Sequence, residues 1–484
     1  MTRATLEATA WAASLSTSNH PRRGGRVFIR GRACFTPGMP HPSPAATSPG
    51  IIAIRGPALT STGNPFRDGV ERTRRFESDA VVAMADGRIH AFGPADRVLP
   101  TLPAGTPVTR FADHLIVPGF IDAHVHYPQT SIVAAWGGGL LDWLERHAFP
   151  AEQRFADPAW AREVARVFLD ECLRHGITSA MVYGTVHADS VDALLEEAAA
   201  RSMRLIAGKV LMDRNAPAAL CDGADLGVPA TRELIARWHG QGRVAIAITP
   251  RFAASSTPAQ LEAAGALLGE HPDLWVQTHL SENTDEIRWV RDLFPDRRDY
   301  LDVYEHHGLV GRRTVLGHGI HLSDDELRRI HERGAAIAHC PTSNLFLGSG
   351  LFDLFRAQNV DHPVRVGLAT DIGAGTTFSV LGTLGEAYKV AQLRGHSLSP
   401  AHAFWLATLG TAEALALEDR IGRLAAGMEA DLVVLDLRST PLLEWRMRQV
   451  ESVDDALFLQ MMLADERAIR ATFVAGKLVY SRPS

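Results

Sequence analysis

Cysteine is scarce and scattered: four in 484 residues, at Cys34, Cys172, Cys221 and Cys340, with no Cys-x-x-Cys spacing among them. That excludes a disulfide framework or a cysteine-built zinc cluster as the organising feature. Lysine is scarcer still. Only Lys209, Lys389 and Lys477 stand among 49 basic residues, which leaves few candidates for any lysine-dependent chemistry. No apolar run approaches the ~20 residues of a membrane-spanning helix. Thr, Glu and Ser interrupt the stretch from Thr5 to Ser18, so the start does not read as a secretory signal. A formal net charge of −6 gives no basic footprint for nucleic acid or an anionic membrane. These absences predict a cytoplasmic globular protein without nucleic-acid or membrane partners.

What is present is average globular material, 46% hydrophobic and 21% charged, ordered in a recognisable way. Residues 1–48 are rich in Ala, Ser, Thr, Pro and Arg without a hydrophobic period, and read as a disordered extension. Ala80–Met84 and Arg88–Phe92 around Asp86-Gly87 predict a hairpin. Strand patterns return at Asp431–Leu437, Ala471–Val474 and Lys477–Tyr480. The two β-rich ends, 49–116 and 420–484, predict one small composite β-sandwich domain.

Between them, 117–419 alternates strand and helix. Short apolar strands are expected at Phe120–Val125, Ile177–Tyr183, Arg204–Leu211, Val244–Thr249, Leu274–His279, Thr314–His318, Ala335–His339 and Val364–Thr370. Asp157-Pro158 opens one helix that ends before Gly176, and Ser323-Asp-Asp-Glu326 opens another in capping-box form. About eight such alternations over roughly 300 residues predict an α/β fold, a (β/α)8 TIM-type barrel. An open doubly wound sheet is the alternative, and no Gly-x-Gly-x-x-Gly turn supports it.

Chemistry-bearing residues recur where those strands end. His124-Val-His126 alone means little, because 21 histidines give roughly one His-x-His by chance. On a strand, however, residues two apart share a face, so both rings point into the barrel. His279 and Glu282 follow Trp275-Val-Gln-Thr, His318 follows Val315-Leu-Gly, and Asp371 follows Gly367-Leu-Ala-Thr. The C-terminal rim is where barrel enzymes keep their active sites. Three imidazoles and a carboxylate suit zinc or a similar divalent ion with one position open to water.

Pro118-Gly-Phe-Ile-Asp-Ala-His124-Val-His126 resembles the opening metal motif of the amidohydrolase superfamily. Tyr127-Pro-Gln129, Leu141-Asp-Trp-Leu144, Phe149-Pro-Ala-Glu-Gln-Arg-Phe155 and Gly208-Lys-Val-Leu-Met-Asp213 narrow the resemblance to the guanine deaminases. So do Thr249-Pro-Arg-Phe252, Thr278-His-Leu-Ser-Glu-Asn283, the run from His331 to Asn344, and Gly367-Leu-Ala-Thr-Asp-Ile-Gly373. The resemblance implies hydrolytic deamination of guanine to xanthine and ammonia by metal-activated water. It implies one divalent metal per chain, zinc with ferrous iron as the alternative, on His124, His126, His279 and Asp371. It casts Glu282 as proton shuttle, with Asp371 and His318 beside the attacking oxygen. Gln129, Arg251, Phe252 and His318 become the substrate-contacting residues, and a homodimer is the implied assembly.

Two-metal relatives place a carboxylated lysine at the end of the fourth strand. Here that strand ends in Thr249-Pro-Arg251, and Lys209 falls within the third, so one metal is expected. Two other functions stay open. One is the same chemistry on another purine, a pterin or a triazine, such as 8-oxoguanine, an adenosine thioether or a chlorotriazine. Adenine-type substrates would offer Arg251 no carbonyl. The other is a catalytically dead scaffold, against which stands the retention of every ligand-type residue.

Overall fold

The computed structural model describes residues 50–482. The expected extension at 1–48 lies outside the described residues. Strand β1 (Ile52–Ser61) pairs antiparallel with β2 (Arg74–Ala85), which turns at Asp86-Gly87 into β3 (Arg88–Pro94). After β4 (Val108–Arg110) and β5 (His114–Pro118) the chain enters a long parallel series. These strands are β6 (Phe120–His126), β7 (Ile177–Tyr183), β8 (Arg204–Gly208), β9 (Val210–Leu211), β10 (Val244–Pro250), β11 (Trp275–Leu280), β12 (Thr314–His318), β13 (Ala336–His339) and β14 (Arg365–Leu368). The chain returns through β15 (Leu432–Asp436), β16 (Ile469–Val474) and β17 (Lys477–Ser481).

Strands β6, β7, β8, β10, β11, β12, β13 and β14 follow one another in parallel pairs, as a (β/α)8 barrel demands. The ring closes just beyond the ends of the ladder. Asp371 N donates to His124 O at 3.0 Å and His126 N to Ile372 O at 2.7 Å, so the seam of the barrel lies where the candidate ligands cluster. Asp122 locks the same seam, accepting from Thr370 N (3.1 Å), from the Thr370 hydroxyl and from His124 N (3.2 Å). Gly367 is needed here, because a Cβ at that position would lie 2.8 Å from the Ala123 Cβ.

The helices begin where local chemistry dictates. Asp157 caps Pro158–Arg174 through Ala159 N, with proline at the first helical position. Ser323 and Glu326 form the reciprocal capping box of Asp324–Arg333, which Gly334 ends at φ +66°. Their apolar faces, such as Phe168 and Leu169, fill the main core between helices and strands.

The small β domain joins both chain ends, since β15 pairs antiparallel with β5 from Leu432–Pro118 to Asp436–His114. Period-two alternation divides the side chains of this sheet. Val433 and Leu435 enter the barrel's core. Leu432 and Val434 join Ile54, Val82, Met84, Ala471 and Phe473 in a second cluster. Several details differ from the sequence reading. Strand β5 was not anticipated, the expected strand Arg204–Leu211 is divided at Lys209, and β2 starts at Arg74 through a polar stretch whose pattern hides it.

Candidate active site

Period two brings His124 and His126 to the inner face of β6, and both side chains are buried. His126 Nε2 lies 3.3 Å from His124 Nε2 and 3.1 Å from His279 Nε2. Asp371 Oδ1 lies 3.4 and 3.6 Å from the Nε2 atoms of His124 and His126. Bonds of ~2.0–2.1 Å to one ion put neighbouring donors about 3.3 Å apart, and these four spacings lie close to that. The protonation states agree. Burial pulls all three imidazoles below the ordinary histidine value, His126 and His279 strongly. His279 Nδ1 donates to Arg251 O at 2.6 Å, which turns its Nε2 lone pair inward. Burial pushes the Asp371 carboxyl up, but the hydrogen bond and charge of His124 more than reverse this and keep it anionic. The set therefore fits a divalent cation.

Beside the cluster, His318 Nε2 stands 3.4 Å from Glu282 Oε2 and 3.8 Å from Asp371 Oδ2. Its Nδ1 faces Asn344 Oδ1 at 2.8 Å. Burial lowers His318, yet Glu282, Cys340 and Asp371 carry it well above the ordinary histidine value. Burial also pushes Glu282 up to about 7, against the charge of His318. The second Glu282 oxygen accepts from Ser349 Oγ at 3.2 Å. A carboxyl poised near neutrality can both take and deliver a proton. Ser281 (φ +48°), His318 (φ +68°) and Asp371 (φ +52°) are non-glycine residues in the left-handed region, and strained backbone of this kind gathers at functional sites.

All nine residues singled out from the sequence come together. Eight line one cavity, and His124 stands 3.3 Å from His126, which does. Trp143, quoted within the Leu141–Leu144 motif but given no role, lines it too, with Leu140, Leu144, Leu347 and Ala374. Sequence reasoning missed two acids. Glu286 is buried, accepts from Tyr300 OH at 2.7 Å and from Glu282 N at 3.0 Å, and lines the cavity. Its signal was the capping box Asn283-Thr-Asp-Glu286. Glu152, in the quoted Phe149–Phe155 motif but given no role, accepts from Arg251 Nη1 at 2.8 and 2.7 Å and from Gln129 Nε2 at 2.9 Å. Lys209 stands apart from this site. It is buried and paired with Asp222.

Comparison with known proteins places this geometry. The pattern of the amidohydrolase family matches residues 115–479. A guanine deaminase of Escherichia coli is 48% identical over 435 residues, 89% of this chain and 98% of that protein. The crystal structure of guanine deaminase from Bradyrhizobium japonicum superposes with a TM-score of 0.88 at 39% identity, covering 90% of this chain and all of that one. Guanine deaminase from C. acetobutylicum with guanine bound in its active site gives a TM-score of 0.80 at 26% identity, covering 89% of this chain and all of that one.

Proposed function

Because this chain belongs to the amidohydrolase family, whose members are metal-dependent, we propose that it is a guanine deaminase, converting guanine and water to xanthine and ammonia. The observation that carries the reading is one cavity in which the His/Asp cluster faces Gln129 and Arg251. His124, His126, His279 and Asp371 would hold one divalent ion, zinc by the softness of the imidazole set, with ferrous iron the alternative. Bound there, the ion supplies the Lewis acidity that brings water within reach of ionisation at neutral pH.

The chain's own residues do the rest. Arg251 donates to the carbonyl of the base and Gln129 reads the adjoining ring edge, while Phe252 packs beside them. Glu282 takes a proton from the attacking water and delivers it to the ring nitrogen as the new C–O bond forms. His318, held by Asn344, orients the oxygen. The second oxygen of Asp371 takes the remaining hydroxyl proton, which leaves with the amine as the C–N bond breaks.

The same reading divides the chain into a barrel at 117–419 and a composite domain at 49–116 with 420–484, supported by the β5–β15 pairing. It places the enzyme in the cytoplasm as a homodimer. No helix among the described residues is long and apolar enough to cross a membrane. Ammonia release from guanine, 8-oxoguanine, adenine derivatives, pterins and triazines tests the assignment. Guanine should be preferred, and a better triazine or adenine substrate would overturn it.

A further inference from the structure

We propose that Glu152 is the positioning and charge-balancing residue of the base-binding subsite. It orients Gln129 and Arg251 together and keeps the subsite neutral, so that a neutral purine is held and an anionic one released. The inference rests on the proposed function, specifically on Gln129 and Arg251 contacting the base.

The geometry supports both halves. Gln129 and Arg251 line the cavity while the Glu152 carboxylate sits behind them, 1% exposed, on the short helix Phe149–Gln153. Its Oε1 accepts from both residues at once, from Gln129 Nε2 at 2.9 Å and Arg251 Nη1 at 2.8 Å. A carboxylate can only accept, so the amide must turn its NH2 towards Glu152. Gly373 N donates to the other end, Gln129 Oε1, at 3.3 Å, and the amide is thereby fixed in one sense. Arg251 commits Nη1 to Glu152 and makes no other side-chain hydrogen bond among the described residues, leaving Nη2 and Nε to a ligand.

A guanidinium stays ionised, so a buried Arg251 without Glu152 would be an uncompensated cation drawing anions into the cavity. Replacing the amine of guanine by a second carbonyl makes xanthine the stronger acid, because the anion spreads over both carbonyls. Glu152 thus works against retention of the ionised product.

The test is Glu152→Gln in the metal-loaded enzyme. KM for guanine should rise roughly 10- to 100-fold while kcat stays within about threefold, the range seen when a supporting partner is removed. Inhibition by xanthine should tighten about tenfold relative to neutral hypoxanthine near pH 8, which loss of packing alone would not produce. Glu152→Asp keeps the charge and shortens the reach, so it should raise KM and leave that inhibition ratio at its wild-type value. Should Glu152→Gln fail to fold, the neutral pair Glu152→Gln with Arg251→Met replaces it, compared with Arg251→Met alone. Arg251→Met alone leaves the Glu152 carboxylate unbalanced, so inhibition by xanthine relative to hypoxanthine should be weaker there than in the neutral double variant. An unchanged ratio in Glu152→Gln, a changed one in Glu152→Asp, an equal one across the paired comparison, or a kcat loss matching the KM change would overturn the inference. If wild-type protein releases ammonia from guanine, those results count against Glu152 alone. If it does not, the proposed function falls as well.

Discussion

At the N-terminal ends of the barrel strands, Arg204 and Arg243 meet Glu429 and Asp431 in a closed set of ion pairs. Arg243 donates to Glu429 Oε2 at 2.6 Å and to Asp431 Oδ1 at 3.0 Å, and Arg204 Nε donates to Glu429 Oε2 at 2.8 Å. At the C-terminal ends, three imidazole lone pairs and a carboxylate converge on one point, with Glu282 and His318 alongside. Both regions bury charge. In the first every group faces its opposite, which secures the β domain to the barrel floor. In the second, three imidazoles turn Nε2 atoms towards one another and towards Asp371, an arrangement suited to a cation between them. Mutual satisfaction marks structure, and convergent donors without a partner mark chemistry.

If this contrast is right, damage at the two ends should read out differently. The largest effect is expected from Asp371→Ala, which removes an ion ligand and a proton acceptor together. Metal content and kcat should both collapse, measured by elemental analysis and steady-state ammonia release, while loss of rate with full metal would contradict the ligand assignment. Arg251→Ala comes next. It should raise KM for guanine by about 2–3 kcal/mol of lost binding with metal content normal, because a charged hydrogen bond to the base is gone. The melting temperature should fall as well, since Glu152 is left buried without its cation.

Glu429→Gln should do the reverse, costing about 3 kcal/mol of stability in denaturant titrations while kcat per folded molecule holds. Its pH dependence follows from sign. Burial raises the Glu429 carboxyl, and the hydrogen bond from Arg204 with the charge of Arg243 carries it below the ordinary value. The stability this group contributes is then fully present above the unfolded value of ~4.3 and lost as pH falls through the folded one. Wild type and Glu429→Gln should converge in melting temperature in acid. The smallest effect is expected from deleting residues 1–48. Rate and melting temperature should stay unchanged, because the cavity is drawn from residues between His126 and Ala374.

The rim ligands were legible because two strong rules coincide on them: period two in a strand, and strand ends as the site of barrel chemistry. His124, His126, His279 and His318 lie in strands at or near their C-terminal ends and obey both, while Asp371, three residues beyond β14, obeys the second. Glu152 obeys neither. It is functional only through Gln129 and Arg251, 23 and 99 positions away, and no local pattern announces such a pairing. Trp143 was equally illegible, since a buried aromatic looks alike in a core and in a cavity wall. The barrel's alternation was readable from apolar strands and capped helices. Strand β5 was not, being five residues long and defined by its long-range partners β1 and β15.

The measurement closest to the central claim is Glu282→Gln, assayed for metal content, guanine affinity and turnover in one preparation. Glutamine keeps size and hydrogen bonding but cannot carry the proton. Positioned acid–base catalysis contributes ~10²–10⁴-fold, and a residue making two transfers should stand at the top of that range. The account predicts full metal, near-normal guanine binding and turnover down by about four orders of magnitude. A variant that lost its metal, or kept more than about a tenth of wild-type kcat, would make Glu282 structural and contradict the account.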